Sequence, residues 1–279
     1  VSEKIFLAAQ RADRSHAFCL LILLGLGLPT LLPMNVAASE EAMSGGEASV
    51  GLLPFSDSVS DFELTYKIRL AGLPVGISAK ISATRNNAIW SAESRVSHFL
   101  ARNTHVSRFS VRACEHRLLS FTNSGESFGW KFSDAVMFDW PAKSATYEGF
   151  TQSSENDLVE NIEIVYPLNY DHYVDKLSQY ALMGCLLEKG LSTFQLTYLD
   201  DGIGRYEFRI QATKQARWNK QDWKVVVLRG VPFEQKAGSV HTGIEYTLAP
   251  ALHYLPIEVR TKLRGLPVTA RLASARLNE

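Results

Sequence analysis

From Asp61 onward, apolar and polar residues take turns one by one, and few folds tolerate that pattern. In Phe62-Glu63-Leu64-Thr65-Tyr66-Lys67-Ile68-Arg69-Leu70 the alternation is strict. Side chains of an extended strand point to opposite faces in turn, so Phe62, Leu64, Tyr66, Ile68 and Leu70 share one face of a half-buried strand. Gly72-Leu73-Pro74-Val75-Gly76 marks a turn, and Ile77, Ala79 and Ile81 alternate on the way back. The same rhythm runs through Phe128, Trp130 and Phe132, through Val136, Phe138 and Trp140, and through Phe194, Leu196 and Tyr198. Asp201-Gly202 is a tight-hairpin signal, after which Tyr206, Phe208 and Ile210 return. Trp223 to Leu228 and Ile257 to Arg260 continue it. Turn residues every dozen positions or so are the signature of an all-β fold. The expectation is a mainly β protein: a large curved antiparallel sheet, roll-like or an open barrel, formed by residues 61–279 as a single domain.

One segment breaks the rhythm. In Asp171 to Lys189, Tyr173, Leu177, Tyr180, Ala181, Gly184 and Leu187 recur at three and four residues, the spacing of a helix face. Asp171 is suited to cap its start and Lys189-Gly190 to end it. This predicts one principal helix lying on the sheet. An internal echo also stands out: Arg69-Leu70-Ala71-Gly72-Leu73-Pro74-Val75 and Lys262-Leu263-Arg264-Gly265-Leu266-Pro267-Val268 share Gly-Leu-Pro-Val. The similarity stops after a dozen residues, which favours two copies of one good hairpin over a duplicated half.

The first 60 residues read differently. Lys4, Arg11 and Arg14 precede the apolar run Ala17 to Leu28, which Pro29 and Pro33 end, and Val36-Ala37-Ala38 offers small residues beyond it. A charged, an apolar and a small-residue region in this order predict a cleavable secretory signal over 1–38, cut between Ala38 and Ser39. The run is shorter than the roughly 20 residues of a spanning helix. Residues 39–60, rich in Ser, Gly and Glu, read as a flexible lead-in. The expected location is therefore the periplasm.

Lysine plus arginine and aspartate plus glutamate both number 29, so the formal net charge is zero. That balance lacks the basic footprint of a nucleic-acid binder. Of three cysteines, Cys114 and Cys185 lie beyond the signal. In an oxidising compartment they either pair or pack as separate small hydrophobes. A bond would close a loop of about 70 residues, worth roughly 4 kcal/mol in the chain-entropy model.

Motifs for chemistry are few. Gly125-Glu126-Ser127-Phe128-Gly129 matches the esterase pattern, but that chemistry needs the serine on a strand-to-helix turn. The residues after Ser127 alternate like a strand, so a hairpin loop is the better reading. Asp171, His172 and Asp175 cluster but are too few to hold a metal without partners elsewhere. His98, His105, His116, His241 and His253 are scattered, and neither a His-Glu-x-x-His motif nor a nucleotide-binding glycine loop is present. No catalytic, cofactor or metal residues are assigned.

Three features, in this order, carry a resemblance: the hairpin Tyr66 to Gly76, Asp175-Lys176-Leu177-Ser178 opening an apolar helix, and Leu255-Pro256-Ile257-Glu258-Val259 before the last hairpin. Over about Asp61 to Ala275 the chain resembles DUF3108, a family of exported bacterial proteins of unknown function. The resemblance implies a roll-like or open-barrel β domain outside the inner membrane and no reaction. The functional expectation is a non-enzymatic periplasmic protein binding a lipid or other apolar ligand, or an envelope protein. The alternatives are an envelope hydrolase acting on lipid or glycan and a structural adaptor in envelope assembly.

Overall fold

The computed structural model describes residues 61–98, 101–112, 114–127, 130–153, 159–199, 202–234, 243–263 and 265–278. The signal over 1–38, its cleavage point at Ala38 and Ser39, and the lead-in over 39–60 lie outside the described residues.

Fifteen strands form one sheet. The first eight are β1 (Asp61–Leu70), β2 (Leu73–Asn86), β3 (Ile89–His98), β4 (Ala101–Arg112), β5 (Glu115–Ser127), β6 (Trp130–Asp139), β7 (Ser144–Ser153) and β8 (Val159–Pro167). A two-residue strand, β9 (Tyr173–Val174), precedes the helix α1 (Ser178–Glu188). The rest are β10 (Thr193–Leu199), β11 (Ile203–Trp218), β12 (Gln221–Glu234), β13 (Ile244–Ala249), β14 (Leu255–Leu263) and β15 (Leu266–Asn278). Their order in space is β8 down to β1, then β15 down to β9. The first and last described strands thus meet in the middle of the sheet, and β8 and β9, consecutive in sequence, lie at its two margins.

Sheets of more than about ten strands curl, and this one does. The Trp218 indole N–H donates to the Leu272 carbonyl at 2.6 Å. β11 and β15 have three strands between them, a separation of about 19 Å in a flat sheet. The bond forms because the long β11–β12 hairpin reaches past the short β13 and folds over the inner face. That face carries the core: Phe62, Leu64 and Tyr66 of β1, Trp90 of β3, Phe109 of β4, Leu118 of β5 and Val136 of β6 are buried. The large curved antiparallel sheet with one helix is what the alternation predicts.

The echoed hairpins have turns of the same length and lie side by side. Leu70 pairs with Leu73 and Leu263 with Leu266, leaving two residues for each turn. Ala71, Gly72 and Gly265 have positive φ, the geometry that makes glycine the natural second turn residue. β1 pairs with β15, so Leu70 faces Val268, and the Ala71 N–H donates to the Pro267 carbonyl at 2.8 Å. The Asp201-Gly202 turn is looser than expected. Leu199 pairs with Ile203, which leaves three residues between the strands.

The helix is shorter than its spacing suggests, and Asp171 does not cap it. His172 adopts φ 56°, and Tyr173 and Val174 then pair in parallel with Thr197 and Tyr198. The Asp171 carbonyl accepts from the Thr197 hydroxyl at 3.0 Å. Sheet pairing wins over helix propensity here because the segment closes the margin of β10. Capping falls to Asp175, whose carboxylate accepts the Ser178 N–H at 2.8 Å, while Ser178 Oγ accepts the Asp175 N–H at 3.0 Å. This reciprocal pair satisfies two donors at the helix start. The far end is as expected. Leu191 N–H returns to Leu186 O at 3.1 Å and Gly190 N–H to Leu187 O at 3.0 Å, with Gly190 at φ 80°, a Schellman motif. The helix does not lie on the sheet with one face in solvent. From Ser178 to Leu187 only Tyr180 is not fully buried, because the curled sheet encloses it.

Candidate functional site on the inner face

Two fastenings hold α1 to the wing formed by β4 and β5. At its start, Asp175 is a hub. His105 of β4 shares a hydrogen bond from Nε2 to Asp175 Oδ2 at 2.5 Å, and the Ser107 hydroxyl donates to Oδ1 at 3.0 Å. All three residues are buried. Burial alone would raise the carboxyl pKa. The hydrogen bond and charge of His105 and the hydrogen bonds from Ser178 outweigh it, and the net direction is downward. At the helix end a disulfide joins Cys185 to Cys114, with Cα atoms 5.6 Å apart. That spacing lies within the range a disulfide spans.

Ser107, His105 and Asp175 are the residue types of a hydrolytic triad, but their wiring differs. Both Ser107 and His105 bond to the carboxylate, whereas a triad runs from serine through histidine to aspartate. With Ser107 0% exposed, no substrate reaches its hydroxyl, so the constellation is a fastening. Ser127 of the Gly-x-Ser-x-Gly motif ends β5, and its neighbour in the sheet is Trp130, the first residue of β6. A strand pair therefore stands where the esterase elbow needs a strand followed by a helix. Among the described residues no group of three or more His, Cys, Asp and Glu side chains is placed to hold a metal ion.

His116, at the Cys114 end of β5, lies tilted against Phe109 with ring centroids 5.7 Å apart. Both ring nitrogens are enclosed without a hydrogen-bond partner. Desolvation lowers its pKa to about 4; the Asp175 charge pulls the other way and His172 adds to the lowering. On the opposite wing, Gln179 Oε1 accepts the hydroxyls of Tyr198 at 2.6 Å and Tyr246 at 3.1 Å. Burial raises both phenols well above their ordinary value.

Beyond the helix, the inner face changes character toward one end of the sheet. Phe62, Leu64 and Tyr66 are 2%, 2% and 3% exposed, whereas Ile68 and Leu70 further along β1 are half-buried. Trp90 and Ala92 are buried but Val96 and His98 half-buried; Val136 is buried but Phe132 and Trp130 half-buried. Ile244 and Val268 follow the same trend on the other wing. Ile77, Ala101 and Ser153 at that end stay buried. A polar row crosses this region. Asn103 Nδ2 donates to Asn123 Oδ1 at 3.0 Å, and Asn123 Nδ2 to Asp134 Oδ2 at 3.4 Å. Tyr147 donates its hydroxyl to Asp134 Oδ1 at 2.8 Å.

No family model matches this chain, and no curated protein does. Among solved structures, it is similar to a beta-barrel-like protein of the domain of unknown function DUF1849 from Brucella abortus. The two share 9% sequence identity, with a TM-score of 0.49, over 79% of this chain and 99% of that one. The class of molecule is therefore taken from its own architecture, a curled antiparallel sheet closed around a buried helix.

Proposed function

We propose that this is a non-enzymatic periplasmic protein that binds an apolar ligand on the inner face of its sheet. The observation that carries the reading is the loss of burial along that face. Most of the alternating positions beyond those sealed under the helix become half-buried toward the end bearing the β1–β2 and β14–β15 turns, and they stay apolar: Ile68, Leu70, Val96, Phe132, Val268. Concave apolar surface with a few fixed polar groups is what small-molecule sites are made of. The apolar run Ala17 to Leu28 with the small residues Val36 to Ala38 supports export, and a disulfide between Cys114 and Cys185 suits an oxidising compartment.

The test is native mass spectrometry of the purified protein beside its denatured mass, followed by organic extraction. The expected result is an adduct that denaturation releases and that a double Ile68→Glu, Val96→Glu variant no longer carries. A protein that shows no adduct and takes up no dodecyl-chain amphiphile saturably would overturn the reading.

A further inference from the structure

The polar row and its surroundings say what the ligand's other end is made of, an inference that rests on the inner face being a binding site. Strands β3 to β8 carry six basic residues, Arg95, Arg102, Arg108, Arg112, Arg117 and Lys131, and all six are exposed. Their register puts every one on the outer face: Arg95, Arg102 and Lys131 alternate with the inward Val96, Asn103 and Phe132, and Arg117 precedes the buried Leu118. Two carboxylates of the same strands take the inner register. Asp134 faces Asn123 across the β5–β6 pair, and Glu160 pairs with Thr151, two residues along from the inward Gly149. Both are half-buried. The inner face of this wing thus carries acid without Lys or Arg among its described residues.

The acid is held in place rather than loose. Tyr147 and Asn123 donate to the two oxygens of Asp134, and Asn103 uses its Nδ2 to hold Asn123. The half-buried ring of Phe132 lies two residues along the same strand face, while Tyr147 is buried. A Cβ at Gly125 would stand 2.7 Å from the ring of Phe132, so that ring lies down over the neighbouring strand, and a Cβ at Gly149 would stand 2.6 Å from the Tyr147 hydroxyl. Flat rings beside a fixed carboxylate suit a cation, which gains from the ring faces as well as from the charge. An anionic headgroup would meet like charge there.

We infer that the wing of β3 to β8 binds the headgroup of an amphiphile that ends in an ammonium group, Asp134 and Glu160 supplying the charge and Phe132 an aromatic wall. The headgroup lies at the polar row and the chain runs along Val96, Ile68 and Val268.

Three probes with one tail separate this from the apolar reading: dodecylammonium, dodecanoate and dodecyl maltoside, each titrated calorimetrically into the full protein below its micellar concentration. Dodecylammonium is expected to bind at least about tenfold more tightly than the other two, the scale of one charge-assisted contact. Asp134→Asn should bring the three to within about twofold. Glu160→Gln, on the marginal strand β8, should reduce the preference about threefold and guards against a folding effect of the first variant. Equal affinity for the three probes would overturn the headgroup inference and leave the apolar site standing. A preference unchanged in both variants would overturn the assignment to these residues. If none of the probes binds, the apolar reading itself fails.

Discussion

The two wings of the sheet hold the same helix by different means. On the β4–β5 side, besides the packing of Leu177 and Ala181 in the core with Phe109 and Leu118, there are directional attachments: a buried carboxylate bonded to His105 and Ser107, and a disulfide. On the β10–β13 side they are many and largely non-directional. Leu182, Met183 and Leu186 pack among Phe194, Leu196, Phe208, Leu228 and Leu248, and Gln179 with its two tyrosines is the polar contact. Hydrophobic packing tolerates sliding and substitution, while a buried charge or a covalent bond accepts one arrangement. The first wing therefore sets where the helix sits, and the second adds a layer of large apolar side chains that keeps it there.

Substitutions can break this contrast. Asp175→Ala should have the largest effect. It strands His105 and Ser107 in the interior and uncaps α1, a loss of up to about 5 kcal/mol for breaking a buried pair by removing one partner. Urea unfolding measures it, and amide exchange should show the Ser178 and Gln179 amides opening first. Replacing Cys114 and Cys185 together by alanine should lose about 4 kcal/mol, the chain-entropy value for a separation of 71 residues. A loss below about 1 kcal/mol would show that the helix end is held by packing instead.

Acid should loosen the same wing. His116 has a folded-state pKa of about 4 against 6.5 unfolded, so between those values the unfolded chain binds more protons. The contribution is complete above pH 6.5 and lost as pH falls toward 4. It amounts to about 3 kcal/mol from the linkage relation. His116→Phe, which keeps the ring contact with Phe109, should flatten this part of the stability profile. The smallest effect belongs to the other wing. Gln179→Leu removes an acceptor from Tyr198 and Tyr246 and should cost about 1–2 kcal/mol, with the helix in the same place by its near-ultraviolet dichroism. A larger structural change there would erase the distinction between the wings.

Much of the sheet was legible because alternation is a local signal. Phe62, Leu64 and Tyr66 are buried where the period of two puts them, and the two Gly-Leu-Pro-Val turns recur as adjacent hairpins. The start of the helix was not legible. Tyr173 fits the helical spacing, but the backbone of Tyr173 and Val174 is claimed by Thr197 and Tyr198, partners more than 20 residues away. The His105–Asp175 pair spans 70 positions and carries no spacing rule. Its trace in sequence is a histidine at an inward position of β4, between Asn103 and Ser107. The polar row eluded the sequence for the same reason: Asn103, Asn123 and Asp134 come together only through the registers of three strands.

The meeting of β1 with β15 has a consequence for how the protein is made. Asp61 lies opposite Asn278, so the seam in the middle of the sheet joins the first described strand to the last. Until β15 emerges from the ribosome, β1 and β14 each present an open row of backbone donors and acceptors, the kind of margin that invites pairing with other chains. Long-range strand pairing of this sort is slow to form. The newborn polypeptide must therefore be kept from its neighbours until β15 is available to close the seam.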